Sequence, residues 1–338
     1  MDAMKVVCVQ DRESFLRLRE EWDSLLRASS KPSVFLTHEW FLSWLDNLVK
    51  EGHLEIYLIQ ERKDLIGIAP FMRRGKTLSF LASEEVTDYC DLICLRGKEK
   101  IVINVLMDRM AEKRDQIQRL ELINIQEDSP TLDLLPALAA DRGVACQIEL
   151  SEIAPRLDLT SSYEDYLSCL PRKLRHELRR KIRRMEQFET FDVRVLKDPV
   201  DLNEAINMFI FLHKNSGQDK YIFWETPGME DFFRDMILRL SQKGWAELVQ
   251  LYMQEKMIAS LLTLKYGDTF LFYNIAFEQE FSSLSPGFYL FHFSILQAIR
   301  DKKRSVDFLR GEEKYKYDFG AKNSKIFNLT LEIGASRR

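Results

Sequence analysis

The sequence is poor in the residues from which the commonest catalytic motifs are built. It has only 13 glycines in 338 residues and no GxGxxG pattern, which argues against a dinucleotide-binding Rossmann domain. Its GKT tripeptide, residues 75–77, has Pro70 where a phosphate-binding P-loop needs its first glycine. A GxSxG nucleophile elbow is also absent. These absences favour chemistry that needs only positioning and proton transfer.

Cysteine and histidine are scarce and scattered. The five cysteines form no CxxC pair, which argues against a disulfide framework and favours buried, reduced thiols in a cytoplasm. The five histidines include no pair at metal-ligand spacing, so we expect no metal site.

Long apolar runs and excess positive charge are missing as well. No stretch of about 18 apolar residues is present, so we expect no membrane span. The first ten residues, MDAMKVVCVQ, lack the basic and apolar regions of a signal peptide, and a cytoplasmic location is expected. A net charge of −4 makes nucleic acid an unlikely partner, and 46% hydrophobic with 30% charged residues is typical of a globular chain.

What the sequence does contain is a repeated order of predicted elements. Strand, two helices, three strands, helix and strand occur in each half, at a period of roughly 190 residues that indicates domain duplication. The hairpin LEIYLIQERKDLIGIAPF of the first half resembles VQLYMQEKMIASLLTL of the second. The pattern predicts an α/β (α+β) protein of two tandem domains, residues 1–154 and 155–338.

A basic segment, RKLRHELRRKIRR at residues 172–184, is the strongest compositional anomaly. Leu174, Leu178, Ile182 and Met185 form an apolar stripe at helical spacing, with arginine and lysine over the rest of the helix. Such a helix is either a solvated helix docked on a core or an anion site for a phosphate-bearing ligand. In the second interpretation Arg175 and Arg179 bind substrate.

A second dense group of polar residues follows a predicted strand, in DFLRGEEKYKYDFG at residues 307–320. It supplies carboxylates, cations and phenols within ten residues, just past a strand end where α/β sites usually lie. The alternative is a charged surface loop held by salt bridges.

These features together resemble a known family. FLTHEW, DYCDL, KLRHELRRKIRR, SPGFYL and DFLRGEEKYKYDFG, with the doubled order of elements, are similar to the CelD/BcsL-type acetyltransferases. That group has a tandem GNAT fold and is related to the FemAB-like peptidyltransferases. The resemblance covers nearly the whole chain and implies mixed central sheets flanked by helices.

The resemblance also implies an acyl-coenzyme A donor, such as acetyl-coenzyme A, and a small-molecule amine or amino-sugar acceptor of polysaccharide or envelope synthesis. In this fold the donor pyrophosphate lies on backbone N–H groups at the start of the helix after the fourth strand. That position corresponds to Ser285, Pro286, Gly287 and Phe288. The usual (Q/R)xxGx(G/A) loop is not present here. Only the second half has the SPG loop and the charged strand exit, so we expect one active site there.

Acyl transfer to an amine needs a proton acceptor, a group that stabilises charge, and a proton donor for the leaving thiolate. We expect Asp307 or Glu312 to accept the proton or orient the amine, and Lys316 to stabilise charge or bind an anionic acceptor. Tyr315 or Tyr273 would protonate the thiolate. Further substrate-binding candidates are Arg310, His213 and, in the first half, Asp88, Tyr89 and Asp91.

Two other functions stay open at this point. A FemAB-like transferase would use an aminoacyl-tRNA donor, which the basic helix favours and the acidic net charge opposes. A non-catalytic binding protein with a degenerate GNAT fold would explain the glycine-poor donor loop. The protein could be a monomer or a homodimer.

Overall fold

The chain folds into two units, each with its own mixed sheet and flanking helices. In this computed structural model, residues 4–49, 51–188 and 190–334 are described. Within them, the first unit comprises residues 4–45, 49–152 and 324–334, and the second comprises residues 46–48 and 153–323. The α/β class predicted from the sequence is confirmed.

The elements run in the following order along the chain. The strands are β1 (Met4–Val9), β2 (His53–Glu61), β3 (Asp64–Arg74), β4 (Thr77–Phe80), β5 (Ile93–Cys94), β6 (Arg119–Gln126), β7 (Ala145–Ile153), β8 (Arg156–Asp158), β9 (Phe191–Leu196), β10 (Ala246–Met253), β11 (Lys256–Tyr266), β12 (Thr269–Phe277), β13 (Ser305–Asp307) and β14 (Lys325–Glu332). The α-helices are α1 (Arg12–Arg17), α2 (Arg19–Ala28), α3 (His38–Asn47), α4 (Glu99–Glu112), α5 (Pro130–Asp141), α6 (Tyr163–Cys169), α7 (Arg172–Glu186), α8 (Pro199–Lys214), α9 (Gln218–Trp224), α10 (Met229–Gln242), α11 (Pro286–Arg300) and α12 (Lys314–Asp318). Short 3₁₀ helices occupy Val34–Leu36 and Gln279–Leu284.

The sheet of the first unit has the order β1-β2-β3-β4-β6-β14-β7, with β5 paired to β3. Neighbours β1 to β4 are antiparallel, and β4 and β6 are parallel. The side chains of β2, β3 and β6 pack against α4 and α5 to form the core of this unit. Apolar residues alternate along β6, as expected for a strand with one buried face.

The last strand, β14, lies in the sheet of the first unit. The sequence places residues 155–338 in one domain, whereas the contacts divide the chain at residue 153 and assign residues 324–334 to the first unit. The reason is that β14 pairs antiparallel with β6, and its Leu329 and Leu331 are buried in that unit's core. An alternating apolar pattern identifies a strand but not its partner.

One predicted strand is largely absent. The segment DYCDLICL, residues 88–95, contains only the two-residue β5. Cys90 N–H donates to the carbonyl of Asn124, and the Asn124 amide donates to the carbonyl of Thr87. The segment is therefore held by a few contacts to β6 rather than by a ladder. Sequence reasoning also missed α5, although Ser129 and Pro130 are typical of a helix start.

The sheet of the second unit has the order β8-β13-β12-β11-β10-β9. Strands β9 to β12 are antiparallel neighbours, and β12 and β13 are parallel. Helices α8 and α10 pack on β10, and α11 packs on β10, β11 and β12. The predicted strand at Phe191–Leu196 and the predicted helix beginning at Met229 are confirmed.

The predicted basic helix is confirmed as α7. Leu178, Ile182 and Met185 are buried, and most of its arginines and lysines are exposed. The helix packs on α11, so its apolar stripe belongs to the core of the second unit. Docking leaves the basic residues available to a ligand.

The fold gives two further findings about possible site types. Of the helices that the structure describes, none has both the length and the apolar character required to cross a membrane. Among the described side chains, no group of three or more His, Cys, Asp or Glu could hold a metal ion.

Candidate active site

The most distinctive feature of the second unit is the point where β12 and β13 separate. Their parallel pairing covers only Thr269–Leu271 and Ser305–Asp307, while β12 continues to Phe277. Glu278 N–H donates to the carbonyl of Ile258 of β11. In an antiparallel pair every second residue bonds to the partner strand, so residues 276 and 274 also bond to β11. The backbone groups of Ile275 and Phe277 therefore point to the opposite edge of β12, where β13 has ended.

A β-bulge at Tyr273 lies beside this open edge. Leu262 pairs with Asn274 and the next residue, Thr263, pairs with Phe272, so Tyr273 is the extra residue. Its half-buried ring stacks on Phe233 of α10 at a centroid distance of 5.9 Å. The bulge therefore lies in the part of β12 that the sequence predicted to be near the thioester.

The start of α11 approaches the same edge. Ser285 adopts a left-handed conformation with φ of 56°, and Pro286 begins the helix. A Cβ placed on Gly287 would lie 3.4 Å from Cγ1 of Ile275, so the first turn of α11 runs directly over the open part of β12. The first N–H groups of a helix lack intrahelical partners and attract anions. The residues predicted to bind the donor, including Phe288, thus lie beside the strand opening.

The loop after β13 is held by backbone bonds to residues 153–155. Phe308 N–H donates to the carbonyl of Pro155 and Gly311 N–H to that of Ile153, each at 2.9 Å. Asp307 is buried, and its Oδ1 accepts a 2.8 Å bond from the N–H of Leu309, which has a φ of 59°. This carboxylate therefore stabilises an unfavourable turn.

Lys316 is enclosed by the same loop. Its Nζ donates to the carbonyl oxygens of Leu309 (3.1 Å), Arg310 (2.6 Å) and Gly311 (3.0 Å), and lies 2.9 Å from Oε2 of Glu313. The side chain is only 2% exposed. The ammonium therefore holds the loop together, and its charge is concentrated where β13 ends.

The other predicted loop residues differ in exposure. Glu312 is exposed, with Oε1 3.5 Å from the Tyr317 hydroxyl. Tyr315 stacks on Phe291 at 5.0 Å, and burial, with the nearby Glu313 charge, raises the pKa of its phenol. Arg310 is half-buried. Tyr315 is consequently a neutral phenol at physiological pH.

A basic cleft of about 630 Å³ opens between α7 and α12. Its basic lining residues are Lys173, His176, Arg180, Lys181, Arg183 and Lys314. Glu177 pairs with Arg180, and Asp318 pairs with Lys181 at 3.3 Å. Cations outnumber carboxylates here, so the cleft favours an anionic ligand.

Arg175 and Arg179, the two arginines proposed from the sequence, do not line this cleft. Arg175 is half-buried and donates to the carbonyl of Leu170, whereas Arg179 is exposed. Helical periodicity places them on a different side of α7 from the lining residues.

His213 and Lys220 form a further polar pair near β12. The Trp224 indole donates a 2.9 Å bond to Nδ1 of His213, and burial, with the charge of Lys220, lowers the histidine pKa to about 3. His213 is therefore neutral at physiological pH. Lys220 of α9 donates a 2.9 Å bond to the carbonyl of Ile275. Sequence reasoning missed both α9 and Lys220, because a single lysine in a polar stretch carries no motif.

The three remaining predicted residues lie in the first unit and are buried. Asp91 accepts bonds from the hydroxyls of Ser129 and Thr131, both at 2.5 Å, at the start of α5. Burial raises the pKa of this carboxyl. Tyr89 packs edge-on against Phe35 at 5.7 Å, and Asp88 is 8% exposed.

The first unit repeats the parallel strand pair but not its opening. Strands β4 and β6 pair at residues 77–79 and 119–121, as β12 and β13 do. Beyond that pairing, residues 87–90 bond to Asn124 of β6. The chain itself thus occupies the position that corresponds to the opening in the second unit.

Comparison with known proteins agrees with this geometry. Residues 172–317, which include the strand opening, α7 and α11, match the family model described as an acetyltransferase (GNAT) domain. A tandem GNAT protein from the clavulanic acid biosynthesis pathway matches at a TM-score of 0.54 and 12% identity, over 99% of this chain and 100% of that one. This chain has a tandem GNAT fold.

Other solved structures share the tandem GNAT fold. FemX matches at a TM-score of 0.65 and 12% identity, over 96% of each chain. L-PGS from Bacillus licheniformis matches at 0.61 and 12% identity, over 97% of this chain and 93% of that one. At these identities the likeness concerns the fold alone. No curated protein matches the sequence.

Proposed function

We propose that the protein is an acyl-coenzyme A-dependent N-acyltransferase whose active site lies in the second unit. The acceptor is the primary amine of a small molecule or sugar. The observation that carries the proposal is the open edge of β12 beside the first turn of α11. The extended chain of an acyl-coenzyme A, which carries the thioester, can bond to the backbone of Ile275 and Phe277. The pyrophosphate of the same molecule then binds the N–H groups at the start of α11.

The first unit provides support for a single active site, which lies in the second unit. In the first unit, Asn124 of β6 bonds to Thr87 and Cys90, so this part of the β6 edge is already occupied by the chain. The proposed donor site therefore lies in the second unit, where Ser285, Pro286, Gly287 and Phe288 form the start of α11.

Residues of the charged loop after β13, together with Tyr273 of β12, have distinct proposed roles. Asp307 and Lys316 hold the loop in shape, so we treat them as positioning residues, with the Lys316 charge also stabilising negative charge that develops nearby. Glu312, which is exposed, accepts the proton of the attacking amine. Tyr273 lies on the strand that the donor follows, so its phenol protonates the leaving thiolate.

Donor binding tests this proposal directly. Acetyl-coenzyme A, longer acyl-coenzyme A species and free coenzyme A are added to the wild type, and thermal unfolding is followed. A donor at about 100 times its dissociation constant adds roughly 2.7 kcal/mol to the free energy of unfolding.

Two variants of Gly287 make the test specific. Gly287→Ala meets Ile275 at ordinary contact distance and should keep the shift, whereas Gly287→Trp fills the space over β12 and should lose it. No shift in the wild type with any coenzyme A species would refute the proposal.

The basic cleft favours a second candidate, a FemAB-like transferase with an aminoacyl-tRNA donor. Its six basic side chains suit a phosphate backbone, and the fold is shared with FemX. Salt-dependent RNA binding without stabilisation by coenzyme A would favour this function. Absence of both would favour a non-catalytic binding protein.

A further inference from the structure

Lys220 is a half-buried lysine with no carboxylate at ion-pair distance among the described residues. Its Nζ donates one 2.9 Å bond, to the carbonyl oxygen of Ile275. Burial lowers the pKa of this ammonium, as expected for a charge moved out of water. An ammonium has three N–H donors, so the bond to one backbone carbonyl leaves two donors for water or a ligand.

Three acidic residues of neighbouring elements are paired with other lysines. Glu230 of α10 bonds to Lys214, and Glu278 and Glu280 both lie within ion-pair distance of Lys256. Across the described chain, no carboxylate oxygen lies within 4.0 Å of Lys220 Nζ. Burial and then the charge of Lys220 lower the pKa of His213, which is therefore neutral.

The ammonium group of Lys220 lies close to the proposed donor site. Ile275 is on the open edge of β12, and its side chain lies next to Gly287 at the start of α11. Lys220 therefore lies beside the strand segment along which the proposed thioester runs. In the same region the ring of Phe233 packs against those of Trp224 and Tyr273.

We infer that Lys220 recognises a carboxylate carried by the acceptor, so that the acceptor is an amino acid or a similar amine with an acid group near its nitrogen. This inference rests on the proposed N-acyltransferase function. A half-buried ammonium without a counter-ion is costly, and a substrate anion that completes its bonds removes that cost. One cation beside a neutral histidine matches a single negative charge, whereas a phosphate group matches the cationic cleft of α7.

Matched acceptor pairs test the inference. Glycine, L-alanine and L-glutamate are each compared with their α-carboxamides in an assay of coenzyme A release from acetyl-coenzyme A. We expect kcat/KM to be at least about tenfold higher for the acid than for the amide in one or more pairs. In Lys220→Met the acid and the amide should react equally, and Lys220→Arg should restore part of the preference.

Binding provides a second readout that does not need turnover. Thermal stabilisation by N-acetylglycine and by its amide is measured with free coenzyme A present, for the wild type and Lys220→Met. The inference is overturned if neither assay separates acid from amide in the wild type, or if Lys220→Met keeps the preference. Stabilisation by acetyl-coenzyme A alone is recorded in parallel, so failure of the donor site is distinguished from failure of this inference.

Discussion

The Nζ of Lys181 lies 4.0 Å from the centre of the Phe288 ring, over its face. This cation–π contact joins the basic helix α7 to the first turn of α11. The Phe288 ring also stacks on Phe319 at 4.2 Å, and Lys181 pairs with Asp318. Two features that are more than 100 residues apart in the sequence therefore meet, and this contact links the basic cleft to the proposed donor site.

The first prediction concerns this surface. Reversing two exposed cations of the cleft, Lys173→Glu with Lys314→Glu, should raise the Kd for coenzyme A about tenfold, because each loses an attraction to phosphate. The matched control reverses Arg172 and Arg179, which are exposed on α7 outside the cleft lining. Titration calorimetry at low and high salt gives the Kd values. An equal effect of both pairs would show that the cleft has no special role.

The second prediction concerns the loop after β13. Lys316→Met removes the donor to three carbonyl oxygens and should lower the free energy of unfolding by about 1–3 kcal/mol, with a fall in turnover beyond that explained by unfolding. Glu313→Gln removes only an exposed partner and should cost less than about 1 kcal/mol. Urea unfolding and initial rates measure both. Normal stability and turnover in folded Lys316→Met would contradict the assignment.

The third prediction concerns pH. The pKa of His213 in the folded protein is about 3, below its ordinary 6.5, so the unfolded chain binds a proton first as the pH falls. Its stabilising contribution is complete above pH 6.5 and declines toward pH 3, by about 2 kcal/mol at pH 5. His213→Gln should flatten this part of the curve, and the slope that remains is expected from His292, whose pKa is lowered by burial to about 4. An unaltered curve in His213→Gln would contradict the prediction.

The fourth prediction separates a structural from a substrate-binding role for Asp91. Its carboxylate accepts bonds from Ser129, Thr131 and the N–H of Leu92. Asp91→Ala should therefore destabilise the protein by about 1–3 kcal/mol and leave the acceptor KM unchanged. A raised KM with normal stability would instead support the substrate-binding role expected from the sequence.

Much of the site could be predicted from local patterns. The stripe of Leu178, Ile182 and Met185 identified α7, and Ser285-Pro286-Gly287 marked the start of α11. These signals survive folding because helical periodicity and the backbone preferences of proline and glycine act within a few residues. The resemblance of the doubled pattern to the GNAT fold is confirmed by the fold comparison.

Other features could not be read from local patterns. The rotation of α7 about its own axis determines which side chains face the cleft. Lys173 and Arg180 line it, whereas Arg175 and Arg179 do not. Burial decided that Asp307 and Lys316 bond to backbone groups of their own loop. Such roles depend on which surfaces of the folded chain are in contact. The types and spacing of residues in the sequence do not specify these contacts.

By itself, the sequence determined the α/β class, the doubled order of elements and the two charged segments, because each depends on residue types at short spacing. Only the tertiary structure decided that β14 joins the first sheet, that Asn124 bonds to Thr87 and Cys90, and that Lys220 lies at the open edge of β12. All three depend on contacts between residues more than 30 positions apart in the sequence. The third also requires β13 to end before β12 does. Long-range pairing is selected by the burial and hydrogen bonding of the whole chain, which no local pattern contains.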